Sequence, residues 1–255
     1  MDSTKLLLSY TRRAVDDYEM IAEGDKIAVG VSAGKDSLAL LVALAQLRRF
    51  YPKKFSLIAI TVDMGFDGMD FTPIKKFCEE LDVEYHVVPT QISQIIFDVR
   101  KEKNPCSLCA KMRRGALHTA AKELGCNKVA LGHHFDDVVE TFMLNLFYEG
   151  RLGCFQPVTY LSRIDLHVIR PLIYMPEKDV RYFAGKVELP VIESSCPADK
   201  NTERERMKEL LHNLERENKG LRYRIFGAMQ RANIDGFREI GRMIGGMSNY
   251  EEEQI

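Results

Sequence analysis

Two groups of residues in this 255-residue chain have the types and spacing that chemistry requires. The first is a polar loop that follows an apolar run and precedes an apolar segment long enough for a helix. A strand, a polar loop and a helix N-terminus together form an anion site, because unpaired N–H groups and the helix dipole favour negative charge. The loop therefore predicts phosphate binding by Ser32, Ala33, Gly34, Lys35, Asp36 and Ser37.

This loop is not an ordinary nucleotide P-loop. That motif needs four residues between its two glycines, followed by Lys and Ser or Thr. Here only three residues separate Gly30 from Gly34, and Asp36 follows Lys35. An ordinary strand-to-helix turn is the alternative interpretation. At Ala33 we expect a methyl group to be tolerated if φ is negative and to crowd the loop if φ is positive.

The second group consists of cysteines and the basic residues beside them. Cys106 and Cys109 form a CxxC motif, a spacing that brings two thiolates within reach of one metal ion. Arg113 and its basic neighbours follow at once, and positive charge lowers thiol pKa values and attracts phosphate. A redox motif is the alternative, but thioredoxin-type pairs open the helix of a different unit. Cys196 stands before a proline, far along the chain.

Apolar runs that alternate with helical segments predict how these groups are positioned. They indicate an α/β fold, a Rossmann-like parallel sheet with helices on both faces and a helical C-terminal extension. We expect an N-terminal helix in 1–24, the nucleotide domain in 25–195 and the extension in 196–255, with helical structure from Thr202 to Met247. Residues 150–175 are predicted to be irregular except for one strand. The predicted strands are Ile27–Val31, Phe55–Val62, Val83–Val88, Lys128–Leu131 and His167–Ile169.

In open parallel sheets, ligands lie beyond the carboxyl ends of the strands. Asp63 ends the second predicted strand, so it is expected near the nucleotide, with a turn as the alternative role. Gly132 and His133 follow the fourth strand, and Gly132 would permit close approach by the nucleotide. Asp136 and Asp137 could hold magnesium on the phosphates or cap the next helix.

Composition limits the class of protein. The chain is 45% hydrophobic and 29% charged, with a net charge of -1, so any RNA-binding surface must be local. Six cysteines without a secretory leader predict a cytoplasmic protein with reduced thiols. The longest apolar run is too short to span a bilayer, so no membrane association is expected.

Taken together, these motifs resemble the TtcA branch of tRNA thiolation enzymes, which are PP-loop ATP pyrophosphatases with TtuA and Ncs6 as relatives. The extra cysteine pairs of the zinc-binding relatives are missing, which favours TtcA. The motifs are Ser32–Ser37, Cys106–Gly115, Leu131–Asp137, Arg170–Leu172 and Cys196–Pro197. The resemblance implies a fold like that of the adenine nucleotide alpha hydrolases.

The resemblance also implies cofactors and roles. ATP and Mg²⁺ would bind at Ser32–Ser37, Asp63, Gly132 and His133, and Arg113 would reach either the nucleotide or a cluster. Cys106, Cys109 and Cys196 would hold a 4Fe–4S cluster and act in catalysis with Asp137. The implied reaction adenylates a pyrimidine oxygen of tRNA and replaces it with sulfur from a cysteine desulfurase or sulfide, in a homodimer.

Two other hypotheses remain open at this stage. One is a PP-loop enzyme of another amidation or lysidine-forming type, with structural zinc on the cysteines. The other is a non-enzymatic nucleotide sensor or RNA-binding module, which would bind ATP without releasing pyrophosphate. Metal content and pyrophosphate release distinguish the three.

Overall fold

A six-stranded sheet organises the part of the chain that the computed structural model describes, residues 2–100, 105–192, 196 and 202–240. The strands are β1 (Asp25–Gly30), β2 (Phe55–Asp63), β3 (Glu84–Pro89), β4 (Lys128–Ala130), β5 (Val158–Leu161) and β6 (Leu166–Ile169). Their order is β3-β2-β1-β4-β6-β5. All neighbours are parallel except β5 and β6, which are antiparallel.

Helices cover both faces of this sheet. They are α1 (Ser3–Asp17), α2 (Lys35–Leu47), α3 (Thr72–Glu80), α4 (Ile92–Gln94), α5 (Pro105–Glu123), α6 (Phe135–Tyr148), α7 (Glu177–Val187), α8 (Glu203–Glu217) and α9 (Leu221–Arg231). A π-helical turn, Ile95–Val99, follows α4. Among the described residues, no helix is long and apolar enough to cross a bilayer.

Successive side chains of β1 belong alternately to two hydrophobic clusters, one on each face of the sheet. Ile27 and Val29 belong to the larger hydrophobic cluster, which includes the buried face of α2. Ala28, between them, belongs to a second cluster with Leu117 and Ala121 of α5. Successive side chains of a strand point to opposite faces, so both faces of β1 are buried. The predicted α/β fold with helices on both faces is confirmed.

The helical C-terminal extension packs on the larger core. Met207 and Leu211 of α8 and Phe226 and Met229 of α9 are buried within it. The helical structure predicted from Thr202 onward is confirmed as two helices, α8 and α9. Gly220 adopts a left-handed conformation, φ 81°, that separates α8 from α9, and α9 ends at Arg231. The part of this prediction beyond residue 240 lies outside the described residues.

The other differences concern element ends and one strand. The predicted irregular segment 150–175 contains β5, an edge strand that sequence reading missed. Helices α2 and α6 begin three residues earlier than predicted, at Lys35 and Phe135, so each starts inside a polar motif. Their N-terminal turns therefore belong to the site itself.

Candidate active site

The loop Ser32–Ser37 joins β1 to α2 and is shaped by its own serines. The Ser37 hydroxyl donates to the Gly34 carbonyl over 2.9 Å and accepts from the Ser32 amide over 3.1 Å. Gly34 is the N-cap of α2 and has no side chain to occupy the amides of the first turn. These amides and the positive end of a 13-residue helix are suited to phosphate oxygens.

Ala33 adopts a left-handed backbone conformation, which is unfavourable for residues other than glycine. Its φ is 65°, in the left-handed region, and its methyl group is buried in the larger core. Such a conformation costs a non-glycine residue about 1 kcal/mol. The Ala33 carbonyl accepts a hydrogen bond of 3.1 Å from the Ile192 amide. This bond ties the phosphate loop to the segment that leads to Cys196.

Lys35 and Asp36 open α2 with opposite charges. The Lys35 ammonium lies 3.0 Å from Asp36 Oδ2 and 3.2 Å from Oε1 of Glu177, the first residue of α7. The second carboxylate oxygen of Asp36, Oδ1, lies 3.8 Å from His134 Nε2. Two other elements, α7 and the segment before α6, therefore meet the phosphate loop.

Gly132 permits a close approach, but the approaching group is protein. A Cβ atom at this position would lie 2.9 Å from the Asp36 carbonyl oxygen and 3.0 Å from the Ser37 amide nitrogen. The absence of a side chain lets the segment after β4 pack directly on the first turn of α2. The predicted approach by a nucleotide remains a separate prediction.

Asp137 serves as part of a helix cap. Its Oδ2 accepts from the His134 amide over 2.9 Å, while the Asp137 amide donates to His134 Nδ1 over 3.3 Å, forming a capping box. The other oxygen, Oδ1, accepts from Arg204 of α8 over 3.1 Å. Of the two roles predicted for this carboxylate, the cap is observed.

Asp136 is also bonded within the protein. Its Oδ2 accepts from the Glu177 amide at the start of α7 over 2.7 Å, and its Oδ1 accepts from Arg222 of α9. The carboxylate is mostly buried. It thus fastens α7 and α9 to the N-terminus of α6. Magnesium would have to compete with these donors at both Asp136 and Asp137.

His133 is a half-buried, neutral imidazole. Its ring lies 4.7 Å from the Phe155 ring, centroid to centroid. Burial lowers the pKa of His133 to about 3, and the charges of Arg170 and Arg204 act in the same direction. At neutral pH this side chain therefore carries no charge with which to attract phosphate.

Asp63 ends β2 at the same edge of the sheet as the phosphate loop, which is where it was expected. Its carboxylate accepts from the Gly65 amide over 2.9 Å, and its carbonyl accepts from the Thr90 amide and hydroxyl. The turn role that sequence reading held open is therefore observed. Contact with a nucleotide remains a prediction.

Cys106 and Cys109 lie in the first turns of α5, one exposed and one half-buried, and both are free thiols. Burial raises the pKa of Cys109, the charge of Arg113 lowers it, and the charges of Cys196 and Cys106 raise it further. Cys196 is thus near enough for its charge to act on Cys109. Ile192, four residues before Cys196, is bonded to the phosphate loop, and four residues span at most about 14 Å.

These three thiols are not arranged as a preformed metal site. Within the described ranges, no group of three or more His, Cys, Asp or Glu side chains is placed to hold a metal ion. Sequence reading predicted that Cys106, Cys109 and Cys196 would bind one metal centre. Burial raises the pKa of Cys109 and so favours its protonated form, and the charges of Cys196 and Cys106 act in the same direction.

Comparison with known proteins identifies the family of this chain. The ATP_bind_3 family, described as a PP-loop domain, matches residues 7–232. The chain belongs to this PP-loop family. The tRNA-cytidine(32) 2-sulfurtransferase of Pelobacter propionicus is 44% identical over 208 residues, covering 80% of this chain and 77% of the relative. The enzyme of that name from Geobacter sulfurreducens is 42% identical, covering 85% and 86%.

A solved structure is also similar to this PP-loop protein. The U34-tRNA thiolase NcsA from Methanococcus maripaludis, with its [4Fe-4S] cluster, is 30% identical and has a TM-score of 0.74. The match covers 90% of this chain and 79% of that one. The predicted relationship to TtcA-type thiolation enzymes, and with it the transferase class, is confirmed.

Sequence reading missed the cations that the C-terminal extension of this PP-loop protein brings to the site. Arg204 and Lys208 of α8 bind Asp137 and Glu177, respectively. Residues four apart share one helix face, and these two flank the buried Met207. That spacing is a signal that could have indicated a cationic stripe directed at the domain.

Proposed function

We propose that this protein is an ATP-dependent tRNA sulfurtransferase that makes a 2-thiocytidine-type modification. The observation that carries the proposal is the link between its two reactive groups. The Ile192 amide is bonded to the phosphate loop at Ala33, and the Cys196 thiol four residues later acts electrostatically on Cys109. The names and cofactor of the relatives support the same reaction.

Replacing a base oxygen by sulfur requires a better leaving group than hydroxide. Adenylation of that oxygen by ATP, with release of pyrophosphate, supplies one. The amides of Ser32–Ser37 and the ammonium of Lys35 are suited to neutralise the charge that develops on the phosphates. Magnesium would accompany the phosphates, and we assign it no ligand among Asp136 and Asp137, whose oxygens already accept protein donors.

The cysteine set fits an iron–sulfur cluster in its donor chemistry. Cys106, Cys109 and Cys196 form no disulfide and are at least partly exposed, while the remaining three cysteines of the chain are buried. Arg113 beside Cys109 favours the thiolate that a metal requires. A 4Fe–4S cluster held by three thiolates has one iron without a protein ligand, which can bind an external sulfur atom.

The remaining parts of the proposal concern partners and organisation. The target is tRNA, and the sulfur comes from a cysteine desulfurase or from sulfide in the cytoplasm. Exposed apolar side chains at the end of α6, Phe147 and Tyr148, and nearby Leu152 support a homodimer contact. We retain the division into 1–24, 25–195 and 196–255 as part of this proposal.

The test combines metal analysis with product analysis. The protein is reconstituted anaerobically with iron and sulfide, then incubated with tRNA, ATP and sulfide. We expect iron on the chain, release of pyrophosphate, and 2-thiocytidine in digested tRNA by mass spectrometry. Cys196→Ala should lose iron and thiolation, whereas Cys126→Ala, at a cysteine buried in the smaller hydrophobic cluster, should keep both.

Three outcomes would count against the proposal. Thiolation by a metal-free protein would exclude a role for the cluster. Stoichiometric zinc without iron, together with ATP consumption but no thiolated base, would favour a PP-loop enzyme of another amidation type. ATP binding without pyrophosphate release in the presence of tRNA would indicate a nucleotide sensor.

A further inference from the structure

The ammonium of Lys35 is held between two carboxylates from different elements. Its Nζ lies 3.0 Å from Asp36 Oδ2 and 3.2 Å from Glu177 Oε1. An ammonium carries three N–H donors. Two of them are directed at these oxygens, which leaves the third for a ligand. Because Glu177 belongs to α7 and not to the loop, it fixes the lysine relative to the rest of the sheet edge.

Glu177 is itself held firmly. Lys208 of α8 lies 3.1 Å from its Oε1 and 2.9 Å from its Oε2, and Arg181 lies 3.2 Å from Oε1. Burial opposes ionisation of this side chain, but the hydrogen bond from Lys208 and the charge of Lys35 lower the pKa of Glu177 to about 2. It is therefore a carboxylate at any working pH, with more cations around it than it can neutralise.

We propose that Glu177 is a positioning residue for Lys35, and that Lys208 holds Glu177 in place for this task. The inference rests on the proposed use of ATP by the phosphate loop. Interactions that are stronger in the transition state than in the ground state accelerate a reaction. A lysine whose third N–H has a fixed direction stabilises the charge that develops on the phosphates without first having to reorient.

This role differs from a contribution to stability alone. An ion pair that only stabilises the fold can be replaced by neutral groups with little effect on a neighbouring site. If Glu177 positions Lys35, the loss of Glu177 must change the chemical reactivity of the Lys35 amine even without ATP. It must also affect turnover more than ATP affinity, because removing a negative charge does not weaken the attraction for phosphate.

The first experiment measures Lys35 directly. The ligand-free protein is labelled with an amine-reactive N-hydroxysuccinimide ester, and the rate at Lys35 is followed by mass spectrometry relative to the other lysines. We expect Glu177→Gln to raise the rate at Lys35 several-fold. Asp179→Asn removes the same charge from the first turn of the same helix without touching Lys35, and should leave the rate unchanged. An unchanged rate in Glu177→Gln overturns the proposal.

The second experiment separates turnover from binding. With tRNA present, Glu177→Gln should lower kcat for pyrophosphate release by about 10-fold. Its Kd for ATP should be equal to or lower than that of the parent protein. A parallel loss of kcat and ATP affinity would identify Glu177 as a structural residue only, and would contradict the inference.

A charge-balanced double variant serves as a control in case the Glu177→Gln single variant misfolds. Glu177→Gln with Lys208→Gln removes one charge of each sign and should reproduce both the faster labelling and the lower kcat; parent-like behaviour in both assays overturns the proposal. If the parent protein releases no pyrophosphate with tRNA, the proposed function fails by itself. The labelling result still decides whether Glu177 positions Lys35.

Discussion

Replacing Gly132 by alanine should disturb the phosphate loop, because the new methyl group meets its backbone. The Cβ would lie 2.9 Å from the Asp36 carbonyl oxygen, 3.0 Å from the Asp36 carbonyl carbon and 3.0 Å from the Ser37 nitrogen. All three are backbone atoms of the first turn of α2, so no flexible side chain can move aside. Either the segment after β4 or this turn must shift by several tenths of an ångström.

The expected loss of stability follows from the free-energy cost of such a shift. Overpacking a tight interior site costs about 1–3 kcal/mol. Gly132 is absent from the glycines with positive φ, so no backbone strain adds to that figure. A small displacement of the amides that we propose to bind phosphate would also weaken a charge-assisted hydrogen bond, and we expect ATP affinity to fall about 10-fold.

Gly185 provides the matched control. It lies inside α7, and a Cβ there meets nothing within 4 Å. Gly185→Ala should therefore stabilise the protein by about 0.5–1 kcal/mol through helix propensity and leave ATP binding unchanged. The assays are urea unfolding followed by circular dichroism and titration calorimetry with ATP. Equal stability and equal ATP affinity in the two variants would refute the reasoning.

Two further predictions concern a buried acid and the strained alanine. Burial raises the pKa of Glu140 to about 7, so its ionisation opposes folding and its own contribution to stability should fall as pH rises from about 4.5 to 7. Glu140→Gln should remove about 1–3 kcal/mol of that fall in urea unfolding at pH 5 and pH 8; an unchanged slope contradicts this. Ala33→Gly relieves about 1 kcal/mol of left-handed strain but loses a buried methyl of similar value and adds unfolded-state entropy. Its unfolding free energy should therefore lie within about 1 kcal/mol of the parent, and a larger change would show that one effect had been misjudged.

The central strands and the phosphate loop could be predicted because their signals are local. Ile27 to Gly30 is apolar on both faces, as a strand between two helical layers must be, and it is followed at once by the polar loop. The edge strand β5 has no such signal. Its residues are partly or fully exposed, and it forms through antiparallel pairing with β6, a partner that the composition of residues 158–161 does not specify.

The partners of the charged residues could not be predicted for a different reason. Sequence reading identified Asp136 and Asp137 as site residues, and the structure places them beside the phosphate loop. Their cations, however, come from Arg222 and Arg204, which are 86 and 67 residues away along the chain. From the sequence pattern alone, several basic residues of the extension were equally plausible partners for these carboxylates. Pairing at such separations is decided by how the helices pack.

The extension is nevertheless part of the phosphate site in electrostatic terms. Three of the carboxylates at this edge of the sheet are each paired with a cation from α8 or α9: Asp136 with Arg222, Asp137 with Arg204, and Glu177 with Lys208. Two like charges about 8 Å apart repel by about 2 kcal/mol at an effective dielectric constant of about 20. Without these cations, the three carboxylates would repel an anion bound at the loop. We therefore expect phosphate binding at the loop to depend on helices that begin more than 160 residues after it.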